Sequence, residues 1–141
     1  MQSGFHSTLL AFDYDTESMA MRFRSDRVAR TVIFVVAAAI TSVWFINFCA
    51  FVFGCGCHSL WAGAAEHCNI HNDLPPHCPW CVQDALYGLG AYTSMVLAQA
   101  AVVFWPGGLG LAIRALGAVV AFPLAGAFMA VLAGWYTGYW T

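Results

Sequence analysis

The chain has 141 residues, of which 61% are hydrophobic and 9% are charged. Soluble domains are about 45–50% apolar and about 25% charged, so this composition excludes an ordinary water-soluble fold. The net charge is −2 and the only basic residues besides histidine are five arginines. This argues against a nucleic-acid-binding protein, because such proteins carry clustered basic residues.

Residues 1–30 form a polar N-terminal tail that contains four of the arginines. The acidic stretch Asp13–Glu17 predicts a solvated coil, and we assign the tail no function. The apolar run that follows is longer than the roughly 7–15 residues of a secretory signal. We therefore expect an uncleaved signal anchor. Lipidation at Cys55 is a second interpretation, although Phe53 fits such a site poorly.

Three uncharged runs predict membrane-spanning helices at residues 31–53, 85–105 and 115–136. The first has 23 residues. At about 1.5 Å per residue it is long enough to cross a hydrocarbon core of about 30 Å. The predicted fold class is therefore an all-α integral membrane protein with three transmembrane helices. A Cys/His-rich loop at 54–84, a turn at 106–114 and a C-terminal tail at 137–141 complete the chain.

The arginines indicate an orientation for these helices. Four of them precede the first span, and Arg114 lies at the mouth of the third. The loop at 54–84 has neither lysine nor arginine. Because cytoplasmic segments are enriched in basic residues, we expect the N-terminus and the 106–114 turn in the cytoplasm and the loop outside it. The expected location is a bacterial inner membrane. The inverse topology would keep the cysteines reduced in the cytosol and would favour zinc.

Small residues recur at four-residue spacing along the third span. Two such stripes are present: Gly117, Ala121 and Ala125, and Gly126, Ala130 and Gly134. Small side chains at this spacing let helix backbones approach closely, so we expect contacts on two sides of this helix. The neighbours are the other two spans, further membrane subunits or a second copy of the chain. The expected surroundings are the lipid bilayer and such subunits, with no nucleic acid.

The loop concentrates five cysteines and four histidines between Cys55 and Cys81. Two segments repeat one pattern, His-Cys-x-x-(His or Cys), at His67–His71 and at His77–Cys81. Two ligands separated by two residues can face one ion across a tight turn, and two such pairs make a tetrahedral site. Pro75-Pro76 stiffens the connection between the pairs. The first-rank metal ligands are Cys68, His71, Cys78 and Cys81.

A third cluster, Cys55-Gly56-Cys57-His58, follows the first span directly. It supplies second-rank metal ligands together with two histidines of the repeat. The second-rank ligands are Cys55, Cys57, His58, His67 and His77. Thiolate and imidazole favour zinc or copper as the ion. Cys49 lies inside the first span and is interpreted as a packed thiol.

These residues favour a small membrane protein for metal handling, or an accessory subunit of a membrane metalloenzyme complex, over an enzyme. Two alternatives stay open. Six cysteines in an oxidising compartment can form structural disulfides, which leave a purely structural subunit. Cys78-Pro79-Trp80-Cys81 has the Cys-Pro-x-Cys form of thiol–disulfide oxidoreductases, so Cys78 and Cys81 are an alternative redox pair.

Overall fold

The computed structural model describes residues 3–64, 66–71, 73, 77–82 and 86–140. Within this part of the chain every element is a helix or a 3₁₀ turn, and there is no strand. The elements are α1 (Ser3–Phe53), 3₁₀ turns at Leu60–Ala62 and Asn69–His71, α2 (Pro79–Val82), α3 (Leu86–Phe104) and α4 (Leu111–Thr137). The Pro75-Pro76 connection and the first residue of the predicted second span lie outside the described residues.

Helix α1 is longer than the sequence predicted. The coil expected at Asp13–Glu17 is wrong, because α1 is continuous from Ser3 to Phe53. Residues 5–53 contain neither glycine nor proline, so no residue breaks the helix over this length. Gly54 ends it with a left-handed φ of 59°, a conformation that glycine adopts without steric cost.

Three helical stretches within the described residues are long and apolar enough to cross a membrane. They are Arg24–Phe53, Tyr87–Phe104 and Leu111–Thr137. This confirms the predicted multi-pass membrane class. The bundle also exposes large apolar side chains to its surroundings, such as Phe51 at 87% and Trp135 at 80% of their surface. In a bilayer these side chains lie against lipid, whereas in water they would form a large unfavourable apolar surface.

Helices α3 and α4 form an antiparallel hairpin closed by residues 105–110. Helix α4 begins at Leu111, four residues earlier than the sequence predicted, so Arg114 belongs to its first turn. The Arg114 side chain is fully buried and donates hydrogen bonds to four backbone carbonyl groups. The acceptors are those of Val103, Trp105, Gly107 and Leu109. It satisfies carbonyls that the end of α3 would otherwise leave without a partner.

Helix α1 packs against this hairpin through polar and close steric contacts. The Gln99 side chain is fully buried, accepts a hydrogen bond from Thr41 at 3.2 Å and donates one to the Ala118 carbonyl at 3.1 Å. It therefore connects all three spans. Gly126 lies where a Cβ atom would come within 2.3 Å of Met95 and 2.5 Å of Phe48. One small-residue position of α4 thus contacts both α3 and α1.

Candidate metal centre

The cysteines of the loop lie next to the C-terminal end of α1, at one end of the helix bundle. Cys49 lies near the end of α1, and the turn at Gly54 brings the next residue, Cys55, close to it. Gly56 has a φ of 77°, and a Cβ atom there would lie 2.8 Å from the His67 carbonyl oxygen. Only glycine therefore allows the segment at 55–58 to approach the segment at 66–69 this closely.

Asn69 holds the two halves of the loop together. Its backbone N–H donates to the Cys55 carbonyl at 2.8 Å. Its side-chain oxygen accepts a hydrogen bond from the Cys78 backbone N–H at 2.9 Å, and its backbone carbonyl accepts one from His77 Nδ1 at 2.9 Å. The pairs that the sequence repeat contains are therefore fixed relative to each other by a single asparagine.

An aromatic cluster packs the cysteine segment at 78–81 against α1. Trp80, between Cys78 and Cys81, stacks on Phe45 with ring centroids 5.5 Å apart and meets Phe53 edge-on at 5.1 Å. Gly88 lies where a Cβ atom would come within 2.5 Å of the Trp80 carbonyl oxygen, so α3 passes close behind α2. These contacts give the short helix α2 a fixed position that four residues alone would not maintain.

The six thiols form two adjacent groups of three. One group is Cys55, Cys57 and Cys68; the other is Cys49, Cys78 and Cys81. Within each group the sulfur atoms lie within 4.8 Å of one another. The two groups are adjacent, because Cys49 Sγ lies 3.8 Å from Cys55 Sγ. Close thiol contacts also occur within the groups, at 3.4 Å for Cys49–Cys78 and for Cys55–Cys57.

The thiols are well shielded from solvent and all six are free. Five of them are buried, and Cys81 is partly exposed. Hydrogen bonds from Cys49, and then from Cys78, lower the pKa of the Cys55 and Cys81 thiols below the ordinary cysteine value. Burial raises the pKa of Cys57 and Cys68. Each group of three therefore contains one thiol that is favoured as a thiolate, the form that binds metal.

The structure does not bring the four first-rank ligands together as the two pairs that the sequence predicts. Cys68 joins Cys55 and Cys57, whereas Cys78 and Cys81 join Cys49. His71 is exposed and belongs to neither group. A single ion held by Cys68, His71, Cys78 and Cys81 stays a prediction, while the groups of three thiols are the closest sets among the described residues.

The second-rank histidines are each next to a cysteine in the chain. His77 is partly buried and is held by its hydrogen bond to Asn69. His58 and His67 are exposed, and their ring centroids lie 5.0 Å apart. No histidine of the described loop belongs to either group of three. The arrangement therefore separates a buried thiol centre from imidazoles at its margin.

Cys49 is the site residue that sequence reasoning missed. The positions of the buried residues of α1, which recur at multiples of four, could have indicated it. Ala37, Thr41, Cys49 and Phe53 are all buried and lie on one stripe of the helix. A cysteine on the stripe that faces the other spans, one turn from the Cys/His-rich loop, is positioned to meet that loop.

Comparison with protein-family models, with curated proteins and with solved structures finds no match for the chain.

Proposed function

We propose that this chain is a small membrane protein that binds soft transition-metal ions, Cu(I) foremost, in its six-thiol centre. The observation that carries the proposal is the pair of adjacent three-thiol groups, each with its sulfur atoms within 4.8 Å of one another. We expect one ion in each group, held by Cys55, Cys57 and Cys68 and by Cys49, Cys78 and Cys81.

The spacing of the sulfur atoms supports the binding of one ion by each group of three thiols. With a metal–sulfur bond of about 2.3 Å, two thiolates on one ion lie about 3.8–4.0 Å apart. The thiol contacts within the groups, 3.4 Å for Cys49–Cys78 and for Cys55–Cys57, are slightly shorter than that range, so small side-chain movements would bring the sulfurs into place. Cysteines that ligate different irons of a cubane cluster lie further apart than these do.

The donor set favours Cu(I) over other ions. Thiolates select soft ions such as Cu(I) and Zn²⁺ over magnesium, calcium or manganese. Structural zinc sites are closed by four ligands, whereas each group here offers three thiols. Cu(I) accepts three thiolates as a complete ligand set. Zinc is the second ion we expect, with its fourth position filled by water or by a donor from a partner.

Charge gives a further reason for a metal. Several ionised thiolates cannot share a buried centre without cations, because each unpaired buried charge is costly. No lysine or arginine occurs in the loop to neutralise them. Each bound ion offsets part of that negative charge and displaces thiol protons, so metal binding and thiolate formation occur together.

We further propose that the protein handles metal rather than using it as a structural support. A three-thiol site lacks the closed four-ligand shell of a structural zinc site, so an incoming ligand can take the ion away. Cys81 is partly exposed and offers a point of exchange. Delivery of the ion to a membrane metalloenzyme complex, with this chain as an accessory subunit, fits these properties.

The arginine distribution supports an orientation with the thiol centre outside the cytoplasm of a bacterial inner membrane. A fusion of alkaline phosphatase after Thr141 tests it, since α4 returns the chain to the side that carries the loop. High phosphatase activity is the expected result, and an inactive fusion that is nevertheless expressed would reverse the orientation.

Metal analysis of the purified protein tests the proposal. The detergent-solubilised chain is prepared without oxygen, incubated with Cu(I) or Zn²⁺, and desalted before elemental analysis. We expect two Cu(I) ions per chain, and a large loss in a Cys55→Ser/Cys78→Ser variant that removes one thiol from each group. Ser59→Ala, in the same loop, is the matched control. Negligible metal in the wild-type chain would overturn the proposal.

A second candidate function is a thiol–disulfide relay, favoured by the 3.4 Å contact between Cys49 and Cys78 beside Cys81. In that role two thiols form a disulfide and pass two electrons and two protons to a membrane quinone. Trapping the thiols by alkylation and mass spectrometry distinguishes the candidates. A relay predicts that the oxidised fraction of Cys78 and Cys81 follows the redox state of the quinone pool, whereas a metal centre predicts reduced thiols throughout.

A further inference from the structure

The exposed face of the thiol centre carries a pair of imidazoles that the six-thiol site does not use. His58 follows Cys57, and His67 precedes Cys68. The two segments run side by side, with the Asn69 N–H bonded to the Cys55 carbonyl and the His58 N–H bonded to the Ala64 carbonyl. Along each segment the cysteine is buried and the adjacent histidine is exposed. Each of the two buried thiols is therefore next in the chain to an exposed imidazole.

The separation of the two rings suits one metal ion. The ring centroids of His58 and His67 lie 5.0 Å apart, at an interplanar angle of 67°. With metal–nitrogen bonds of about 2.0 Å, two imidazoles on one tetrahedral ion have centroids about 5 Å apart. The spacing of the rings is thus compatible with a shared ion toward which a nitrogen of each ring would turn.

The surroundings of the pair favour a cation. The loop contains no lysine or arginine that would repel it, and Glu66 immediately precedes His67. Both rings are exposed to solvent, whereas Cys57 and Cys68 are 6% and 1% exposed. An ion from solution therefore reaches the imidazoles before it reaches the thiols of this group.

We propose that His58 and His67 form a capture site that takes a metal ion from solution and passes it to Cys57 and Cys68. This inference rests on the proposed function of the thiol centre. Cys57 and Cys68 belong to one three-thiol group, so the ion moves one residue inward along both segments at once. Cys55 completes the set of ligands once the ion has arrived.

The transfer balances in charge and protons. Cys57 and Cys68 each give up a proton as they bind the ion, and the nitrogens that His58 and His67 expose on releasing it can accept these two protons. Any proton on Cys55 passes to solvent. The metal–nitrogen bonds break as the metal–sulfur bonds form, and the ion keeps its oxidation state. Soft ions prefer thiolate to imidazole, so the direction of transfer is inward.

Loss of the capture site and loss of the thiol centre should affect metal uptake differently. Removing the imidazoles should slow metal uptake but leave the final number of bound ions unchanged, because the ligands of the filled site are thiols. Removing a thiol should lower the final number. The two measurements therefore separate a failure of this inference from a failure of the proposed function.

The test uses a His58→Ala/His67→Ala variant of the full chain in detergent without oxygen. Cu(I) is supplied as its bicinchoninate complex, and uptake is followed by the loss of that complex's absorbance. We expect the initial uptake rate to fall by about tenfold or more, a change similar in size to the loss of metal affinity when groups that orient metal ligands are removed. His71→Ala is the matched control, since His71 is also exposed and belongs to neither group of three thiols.

Three outcomes overturn the capture role. An unchanged uptake rate in the double variant would show that the imidazoles do not receive the ion first. A lower final copper content would make them ligands of the filled site. An equal slowing in His71→Ala would assign the effect to the loop in general. A wild-type chain that takes up no copper would overturn the proposed function as well. Matching circular dichroism spectra establish that the variants fold alike.

Discussion

The thiol of Cys49, in the last turn of α1, lies 3.4 Å from the thiol of Cys78, which immediately precedes α2. This contact connects a membrane-spanning helix to the loop between the spans. It places one group of three thiols at the end of the bundle, with one sulfur from α1 and two from the segment that begins at Cys78. The metal centre we propose therefore depends on packing of the spans as well as on the local sequence of the loop.

Cys49→Ser should remove one of the two ions and leave the other. The variant leaves Cys78 and Cys81 with two thiols, too few for a stable three-coordinate site, whereas Cys55, Cys57 and Cys68 are all retained. Elemental analysis after anaerobic loading with Cu(I) measures the change. Cys68→Ser is the matched variant for the other group and should give the same loss. Full copper content in Cys49→Ser would return Cys49 to the role of a packed thiol.

The sequence predicted that cysteines of the loop lie together better than it predicted which of them form each group. The spacing of Cys68, His71, Cys78 and Cys81 suggests two local pairs around one ion, because ligands two residues apart often share a metal. In the fold, Gly56 allows the segment at 55–58 to lie against the segment at 66–69, and this contact brings Cys55 and Cys57 to Cys68. Such a pairing depends on contacts between distant segments, which local spacing does not determine.

His71→Ala therefore distinguishes the two arrangements of ligands. We expect unchanged copper and zinc content, because His71 is exposed and the Cys68 thiol lies with those of Cys55 and Cys57. Elemental analysis of the variant, beside Cys68→Ser as the positive control, provides the measurement. A loss of metal in His71→Ala as large as in Cys68→Ser would support the four-ligand site that the sequence predicts.

Gly126→Ala should destabilise the bundle. The added Cβ atom would lie 2.3 Å from Met95 and 2.5 Å from Phe48, so both neighbours must move. Overpacking of this kind costs on the order of 1–3 kcal/mol of unfolding free energy. Unfolding in detergent, followed by circular dichroism, measures it. Gly90→Ala is the matched control: a Cβ atom there meets nothing within 4 Å, and alanine favours the helix by about 1 kcal/mol. Equal stability of the two variants would contradict close packing at Gly126.

The spans were predictable because uncharged runs of this length are typical of transmembrane helices and rare in soluble domains. The three apolar helices agree with that expectation.

The role of Arg114 was not predictable in the same way. Its position beside the third span indicated a cytoplasmic charge, as the positive-inside rule suggests. Its side chain also bonds to carbonyls at 103–109, because α4 begins early enough to direct it at the end of α3.

Arg114→Met tests this structural role. The substitution keeps much of the side-chain volume but leaves the carbonyls of Val103, Trp105 and Gly107 without their donor. Hydrogen bonds to a charged group contribute about 1.5–3 kcal/mol, and several are lost together, so we expect a loss of about 3 kcal/mol in unfolding free energy.

Arg114→Lys should lie between wild type and Arg114→Met, because an ammonium group is a single point donor and cannot span carbonyls as a guanidinium does. Arg27→Met is the control, since Arg27 is exposed and the same loss of charge there should change stability little. Denaturant unfolding in detergent gives all four values. A stability of Arg114→Met equal to that of Arg27→Met would show that charge, and not the bonds between α3 and α4, is the reason for an arginine at this position.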